Sequence, residues 1–82
     1  MYEIHYTKSS AKYLKKLPKN HQRHILSVLE RARIRPQAHF KRLVGETSYR
    51  LRAGNYRIIA DIYAEKLCIL VIKIGNRKDI YD

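Results

Sequence analysis

The chain has 82 residues and a single cysteine, Cys68, which excludes an internal disulfide and a cysteine-rich zinc site. Cys68 sits inside an apolar run, where a buried and inert thiol is expected. Tryptophan is absent, and there are only two prolines and three glycines. The glycines are isolated, so the chain has no glycine-rich loop of the kind that cradles phosphate. Long apolar stretches are missing too. The longest, Leu67 to Ile72, is far too short to span a bilayer. The opening Met1-Tyr2-Glu3-Ile4-His5 is not a basic segment followed by an apolar one, so no secretion signal is expected and the reducing cytoplasm is the expected compartment. No repeat, low-complexity tract or linker divides the chain, and residues 1–82 are expected to form one domain. A domain this small buries only roughly 60% of its unfolded-chain surface, so its margin of stability is thin.

Acidic residues are also scarce. Seven Asp and Glu face eighteen Lys and Arg, a formal charge of +11. Charge of this size on a small domain repels itself and has to be used or neutralised. The polyanions that would do so are nucleic acid, an anionic membrane surface or an acidic protein. A membrane-surface helix keeps its Lys and Arg opposite a continuous apolar face. Here they are spread over every segment, which favours nucleic acid. Asp61, Glu65, Asp79 and Asp82 have no spacing suited to a paired-carboxylate acid–base site. His21 and His24 lie one helical turn apart, but no third ligand is placed near them, so an exposed helix face is expected and no metal.

Tyr2, Ile4 and Tyr6 alternate with Glu3 and His5, the pattern of a short half-buried strand. Thr7, Ser9 or Ser10 then offers a helix cap, Ala11, Leu14 and Leu17 recur at helical spacing, and Pro18 ends that helix. Asn20 is placed to cap a second helix with the stripe Ile25, Leu26, Leu29 and Ala32, Val28 beside it and Pro36 closing it. Residues 36 to 46 read as a loop anchored by Phe40 and Leu43. The period then changes to two. Tyr49, Leu51 and Ala53 alternate with Arg50 and Arg52; after Gly54-Asn55, Tyr56, Ile58, Ala60 and Ile62 alternate with Arg57, Ile59 and Asp61. A third run, Leu67 to Ile74, is apolar almost throughout, as a central strand would be. The predicted fold is a two-layer α+β domain: an N-terminal strand, a helical hairpin, then a three-stranded antiparallel meander completing one sheet.

With Gly54-Asn55 as the loop, Ala53 lies opposite Tyr56, Arg52 opposite Arg57, Leu51 opposite Ile58, Arg50 opposite Ile59 and Tyr49 opposite Ala60. One face is apolar and belongs under the helices. The other gathers Arg50, Arg52 and Arg57, and like charges directly opposite are unfavourable unless an anion sits between them. A three-residue loop Ala64-Glu65-Lys66 would set Ile58 against Ile72 in the core and Arg57 against Lys73 outside. Arg77 keeps the parity of Lys73, and Tyr81 follows just beyond. Guanidinium forks match phosphate, and a Tyr ring stacks on a base.

These residues resemble a known family. The run Tyr49-Arg50-Leu51-Arg52-Ala53-Gly54-Asn55-Tyr56-Arg57-Ile58-Ile59 is similar to the central signature of the RelE/ParE toxins. The ending Ile74-Gly75-Asn76-Arg77-Lys78-Asp79-Ile80-Tyr81 is similar to the family's C-terminal motif, and Ala11, Leu14, Leu17 and Pro18 to its first helix. The three stretches stand in the family's order and cover essentially the whole chain. The resemblance implies the same α+β fold, with the first strand beside the last. It also implies a prokaryotic toxin of a type II toxin–antitoxin system. Ribosome-dependent members cut messenger RNA in the decoding site without metal or other cofactor: a ribose 2′-hydroxyl attacks the adjacent phosphate and the 5′-oxygen leaves.

Carried over, Arg50 and Arg52 match the two basic residues before the glycine turn, and Arg57 matches the phosphate-binding Arg after it. Arg77 matches the Arg that stabilises charge or protonates the leaving group, and Tyr81 the Tyr that stacks on or orients the nucleotide. Lys73 and Lys78 are added RNA-binding candidates. The implied partners are a cognate acidic, RelB-like antitoxin in a hetero-oligomer, messenger RNA and the ribosome, with no membrane. The alternative is a non-catalytic or gyrase-directed ParE-like toxin, a module that binds antitoxin and nucleic acid. Gyrase-directed members generally lack the full basic set with its terminal Tyr, which this chain keeps. One departure stands out: active relatives often have Lys, a candidate general base, where this chain has Arg50. Arg stays protonated and is a poor base. Lys73 and His39 are the substitutes the sequence offers.

Overall fold

The computed structural model describes residues 1–43, 45 and 47–76. Strand β1 (Glu3–Tyr6) leads into α1 (Lys8–Lys15), α2 (Lys19–Ala32) and a four-residue helical turn, α3 (Pro36–His39). Then come a two-residue strand β2 (Lys41–Arg42), β3 (Tyr49–Ala53), β4 (Tyr56–Tyr63) and β5 (Cys68–Asn76). They form one five-stranded sheet in the order β1-β5-β4-β3-β2. The pair β1–β5 is parallel and the rest antiparallel. This is the expected α+β architecture, with the first strand beside the last and one strand more than the sequence suggested.

Helix α1 is capped by Thr7, whose hydroxyl accepts from Ser10 N at 3.2 Å. Helix α2 begins earlier than expected. Its N-cap position is Pro18, without a side-chain cap, and Asn20 is already inside the helix. It ends at Ala32, short of Pro36, which opens α3 at the first helical position, where its missing N–H costs nothing. The apolar stripe of α2 buries Ile25, Leu29 and Ala32, while Leu26 stays partly exposed beside β1. These residues meet Leu51, Ile58, Ala60, Ile69, Val71 and Ile74 from the sheet, with Leu14 and Phe40 closing the core. A clamp ties the end of α2 to the start of the chain: Tyr2 N donates to Arg33 O at 3.0 Å, and Arg33 Nε donates to Tyr2 O at 2.9 Å. The same guanidinium holds Glu30 at 2.7 Å. Burial, reinforced by the Glu30 carboxylate and opposed by Arg33, pushes the Tyr6 phenol above its ordinary range.

The β3–β4 register is the one read from Gly54-Asn55, from Tyr49 opposite Ala60 to Ala53 opposite Tyr56. Gly54 has φ +61°, the conformation that a type II′ turn needs at its first central position. The helices use the same glycine: a Cβ there would meet the ring of His24 at 3.3 Å. His21 Nδ1 lies 2.8 Å from the Tyr56 hydroxyl. Both histidines of α2 therefore touch the hairpin instead of projecting freely from the helix.

The β4–β5 connection corrects the sequence reading. A 3-10 turn, Ala64–Lys66, is followed by Leu67 in the left-handed region at φ 50°, so that Tyr63 pairs with Cys68. Continued unbroken, this register would turn Lys73 into the core. It is broken between Ile59 and Ala60, which pair with Lys73 and Val71 and leave Ile72 as an extra residue. The bulge reverses the parity. Ile74, not Ile72, faces Ile58, and Arg57 lies opposite Gly75, not Lys73. Lys73 still points away from the core. Cys68 is half-buried, less enclosed than its apolar neighbours suggested.

The carbonyls around this bulge are held by the start of α1. Val71 O accepts from Thr7 N at 3.0 Å and from Ser10 Oγ at 2.9 Å, and Ile72 O accepts from Thr7 Oγ1 at 2.9 Å. Among the described residues, Ser10 is the buried polar residue of the core, 1% exposed. Ser10→Ala is expected to cost about 1 kcal/mol, because Val71 O keeps its second donor. A urea melt with an unchanged slope and a lower midpoint is the expected result.

Candidate functional site

The face of the sheet turned away from the helices is polarised. Its basic half is organised by cross-strand pairs: Lys41 opposite Arg50 in β2–β3, and Arg52 opposite Arg57 in β3–β4. The period of two puts these four side chains on one face while Leu51 and Ile58 point into the core. With His39 and Leu51 they line a groove of about 280 Å³. Arg50 and Arg57 are half-buried at its base, and Arg52, Lys41 and His39 are exposed at its rim. Lys against Arg and Arg against Arg place like charges directly opposite, and guanidinium forks on one face match the oxygens of a phosphate.

The other half of the face carries Asp61, which accepts from Ser48 Oγ at 3.0 Å and from the Tyr63 hydroxyl at 3.4 Å. The Asp61 carboxylate pushes the Tyr63 phenol above its ordinary range.

Of the sequence candidates, the structure brings Arg50, Arg52 and Arg57 together. Lys73 stands opposite Ile59 on the same face as Arg50, outside the lining of the groove, and borders another concavity with Ser9, Ser10 and Tyr13 of α1. Arg77, Lys78 and Tyr81 lie outside the described residues. Lys41 was missed, because residues 36 to 46 read as a loop. The signal was present in Lys41-Arg42 directly after the apolar anchor Phe40. Two residues are too few to show alternation, and β2 exists only because β3 offers it an edge. The neighbouring Arg42 lies on the opposite face, its guanidinium 5.9 Å from the centre of the Tyr49 ring. Among the described residues, no group of three or more His, Cys, Asp or Glu is placed to hold a metal ion, and no helix is long and apolar enough to cross a membrane.

The family model for the ParE toxin of type II toxin–antitoxin systems (parDE) matches residues 4–81. The chain belongs to the RelE/ParE toxin superfamily. No curated protein matches the toxin's sequence. Its fold is similar to the archaeal RelE–RelB complex from Pyrococcus horikoshii OT3, at 26% identity and TM-score 0.78 over 96% of this chain and 98% of that one. The toxin is likewise similar in fold to RelBE2 from Mycobacterium tuberculosis, at 22% identity and TM-score 0.84 over 93% and 98% of the two chains. The intact E. coli RelBE complex gives 23% identity and TM-score 0.79 over 93% and 96%. In this toxin the basic groove occupies the sheet face that the helices leave uncovered.

Proposed function

We propose that this toxin inhibits translation in the cytoplasm as a ribosome-dependent messenger RNA endonuclease. We propose further that a cognate acidic antitoxin of the RelB kind restrains it in a hetero-oligomer. The observation that carries the reading is the groove in which Arg50, Arg52 and Arg57 converge with Lys41. Within it, Arg57 and Arg52, paired across β3 and β4, grip the non-bridging oxygens of the scissile phosphate. Arg50 and Lys41 hold the strand's neighbouring phosphate charge. As the 2′-oxygen attacks, charge builds on the phosphorane, and cationic donors already fixed in a sheet stabilise it without having to reorganise. By the family resemblance, Arg77 neutralises the leaving oxygen and Tyr81 stacks on the nucleotide, with Lys73 and Lys78 as further contacts to the RNA, and no metal takes part. The antitoxin follows from charge and kinship. At +11 the toxin attracts acidic segments, and the similar solved structures include complexes with RelB.

A second reading, a gyrase-directed toxin, has one observation in its favour: the matching family model is that of ParE. The two separate in one experiment. Purified toxin is added to programmed ribosomes and, in parallel, to a gyrase supercoiling reaction. Cleavage of messenger RNA only when ribosomes are present is the expected result. Loss of supercoiling with intact messenger RNA would replace the endonuclease reading with the gyrase one.

A further inference from the structure

We infer that His39 is the group that takes the proton from the attacking 2′-hydroxyl. The inference rests on the endonuclease reading and assigns that site a base. Among the described residues, the other polar side chains lining the groove are Lys41 of β2, Arg50 and Arg52 of β3, and Arg57 of β4. The three guanidiniums do not release their protons. Imidazole is the side chain suited by its ordinary chemistry to accept a proton near neutral pH. Lys73, the other substitute base, stands on the same sheet face opposite Ile59 but is not among the residues that line the groove.

The position of His39 is held from both sides. It is the last residue of α3, whose first residue, Pro36, is buried, and the next residue is Phe40, 5% exposed. Phe40 N donates to Pro36 O at 2.8 Å and closes the turn. One residue further, Lys41 is paired with Arg50. An exposed imidazole between two core anchors and a paired strand is carried on a fixed mount at the wall of the groove. No loop has to fold over for it to reach the RNA.

The step balances with these parts. The 2′-oxygen bonds to phosphorus as its proton passes to an imidazole nitrogen of His39. The bond from phosphorus to the 5′-oxygen breaks, and that oxygen takes a proton from water. The products are a 2′,3′-cyclic phosphate and a 5′-hydroxyl end, and His39 returns its proton to solvent. The negative phosphorane forming beside the new imidazolium offsets its charge.

The test is single-turnover cleavage of ribosome-bound messenger RNA across pH, comparing the parent with His39→Gln, His39→Ala and Lys41→Gln. The parent rate should rise with pH on an acidic limb, as the base goes from its protonated to its proton-accepting form. His39→Gln should lose about 10²- to 10⁴-fold and show no such limb. Added imidazole should restore part of the rate of His39→Ala, which a merely structural role would not allow. Lys41→Gln should keep the limb at a lower rate. Binding of a 2′-deoxy oligonucleotide should be unchanged by His39→Gln. If the parent cleaves and His39→Gln keeps both rate and limb, or loses rate only through weaker binding, or Lys41→Gln abolishes the limb, His39 is not the base and the endonuclease reading stands. If the parent does not cleave at all, that reading fails and takes this inference with it.

Discussion

Arg57→Ala is expected to leave a folded protein that no longer inhibits growth. Arg57 is half-buried at the base of the groove, opposite Arg52, on the sheet face that the helices leave uncovered. Its neighbour Ile58 points the other way and is fully buried, so truncating Arg57 opens no cavity in the core. The stability cost should be about 1 kcal/mol, the typical size for a substitution that leaves the core intact. The catalytic cost should be much larger. Removing one fixed donor aimed at developing charge costs about 10²- to 10³-fold in rate. Arg57→Lys should recover only part of it, because an ammonium keeps the charge without the bidentate fork. Growth after induced expression and single-turnover cleavage read the activity, and a thermal melt reads the fold. A soluble Arg57→Ala variant as toxic as the parent would remove phosphate binding from this groove.

Ile58→Ala is expected to produce the largest loss of stability of any single change considered. Ile58 is 0% exposed, lies between Leu51 and Ile74 in the register, and sits under the helices in the core they share with the sheet. Truncation of such a side chain costs about 2–5 kcal/mol, part from lost transfer energy and part from the cavity left behind. For a domain of this size each kcal/mol moves the midpoint by about 4–8 °C, so a fall on the order of 10–30 °C is expected. That is a large share of the margin available to a small fold. Ile58→Val should cost only about 0.5–1.5 kcal/mol. Differential scanning calorimetry of the three proteins distinguishes the outcomes. Equal melting temperatures for parent and Ile58→Ala would mean that the core does not close around β4 as described.

The β3–β4 hairpin was legible in the chain alone. Its register depends on a two-residue turn whose glycine needs positive φ and on alternation with period two, both local properties of residues 49 to 62. The same local pattern assigned Arg50, Arg52 and Arg57 to one face and the apolar residues to the other. The β4–β5 pairing was not legible, because no local rule sets it. Residues 67 to 72 are apolar throughout, so alternation cannot tell one register from the next. The bulge at Ile72 is held by Thr7 and Ser10, about sixty residues away in sequence, which bind the carbonyls of Val71 and Ile72. That distant contact, not the turn, determines that Lys73 leaves the core and that Gly75 comes to lie beside Arg57. Strand β2 and the place of His39 have the same origin. Four helical residues and two paired ones carry too little periodicity to be read from sequence. They become definite only when Pro36 and Phe40 enter a core built by distant segments and β3 presents its edge to Lys41. Alternation in the chain therefore determined that a basic face exists and which arginines stand on it. Only tertiary contacts decided where its wall closes and which other side chains share the groove, because burial and edge pairing are energies of the assembled fold and not of any segment within it.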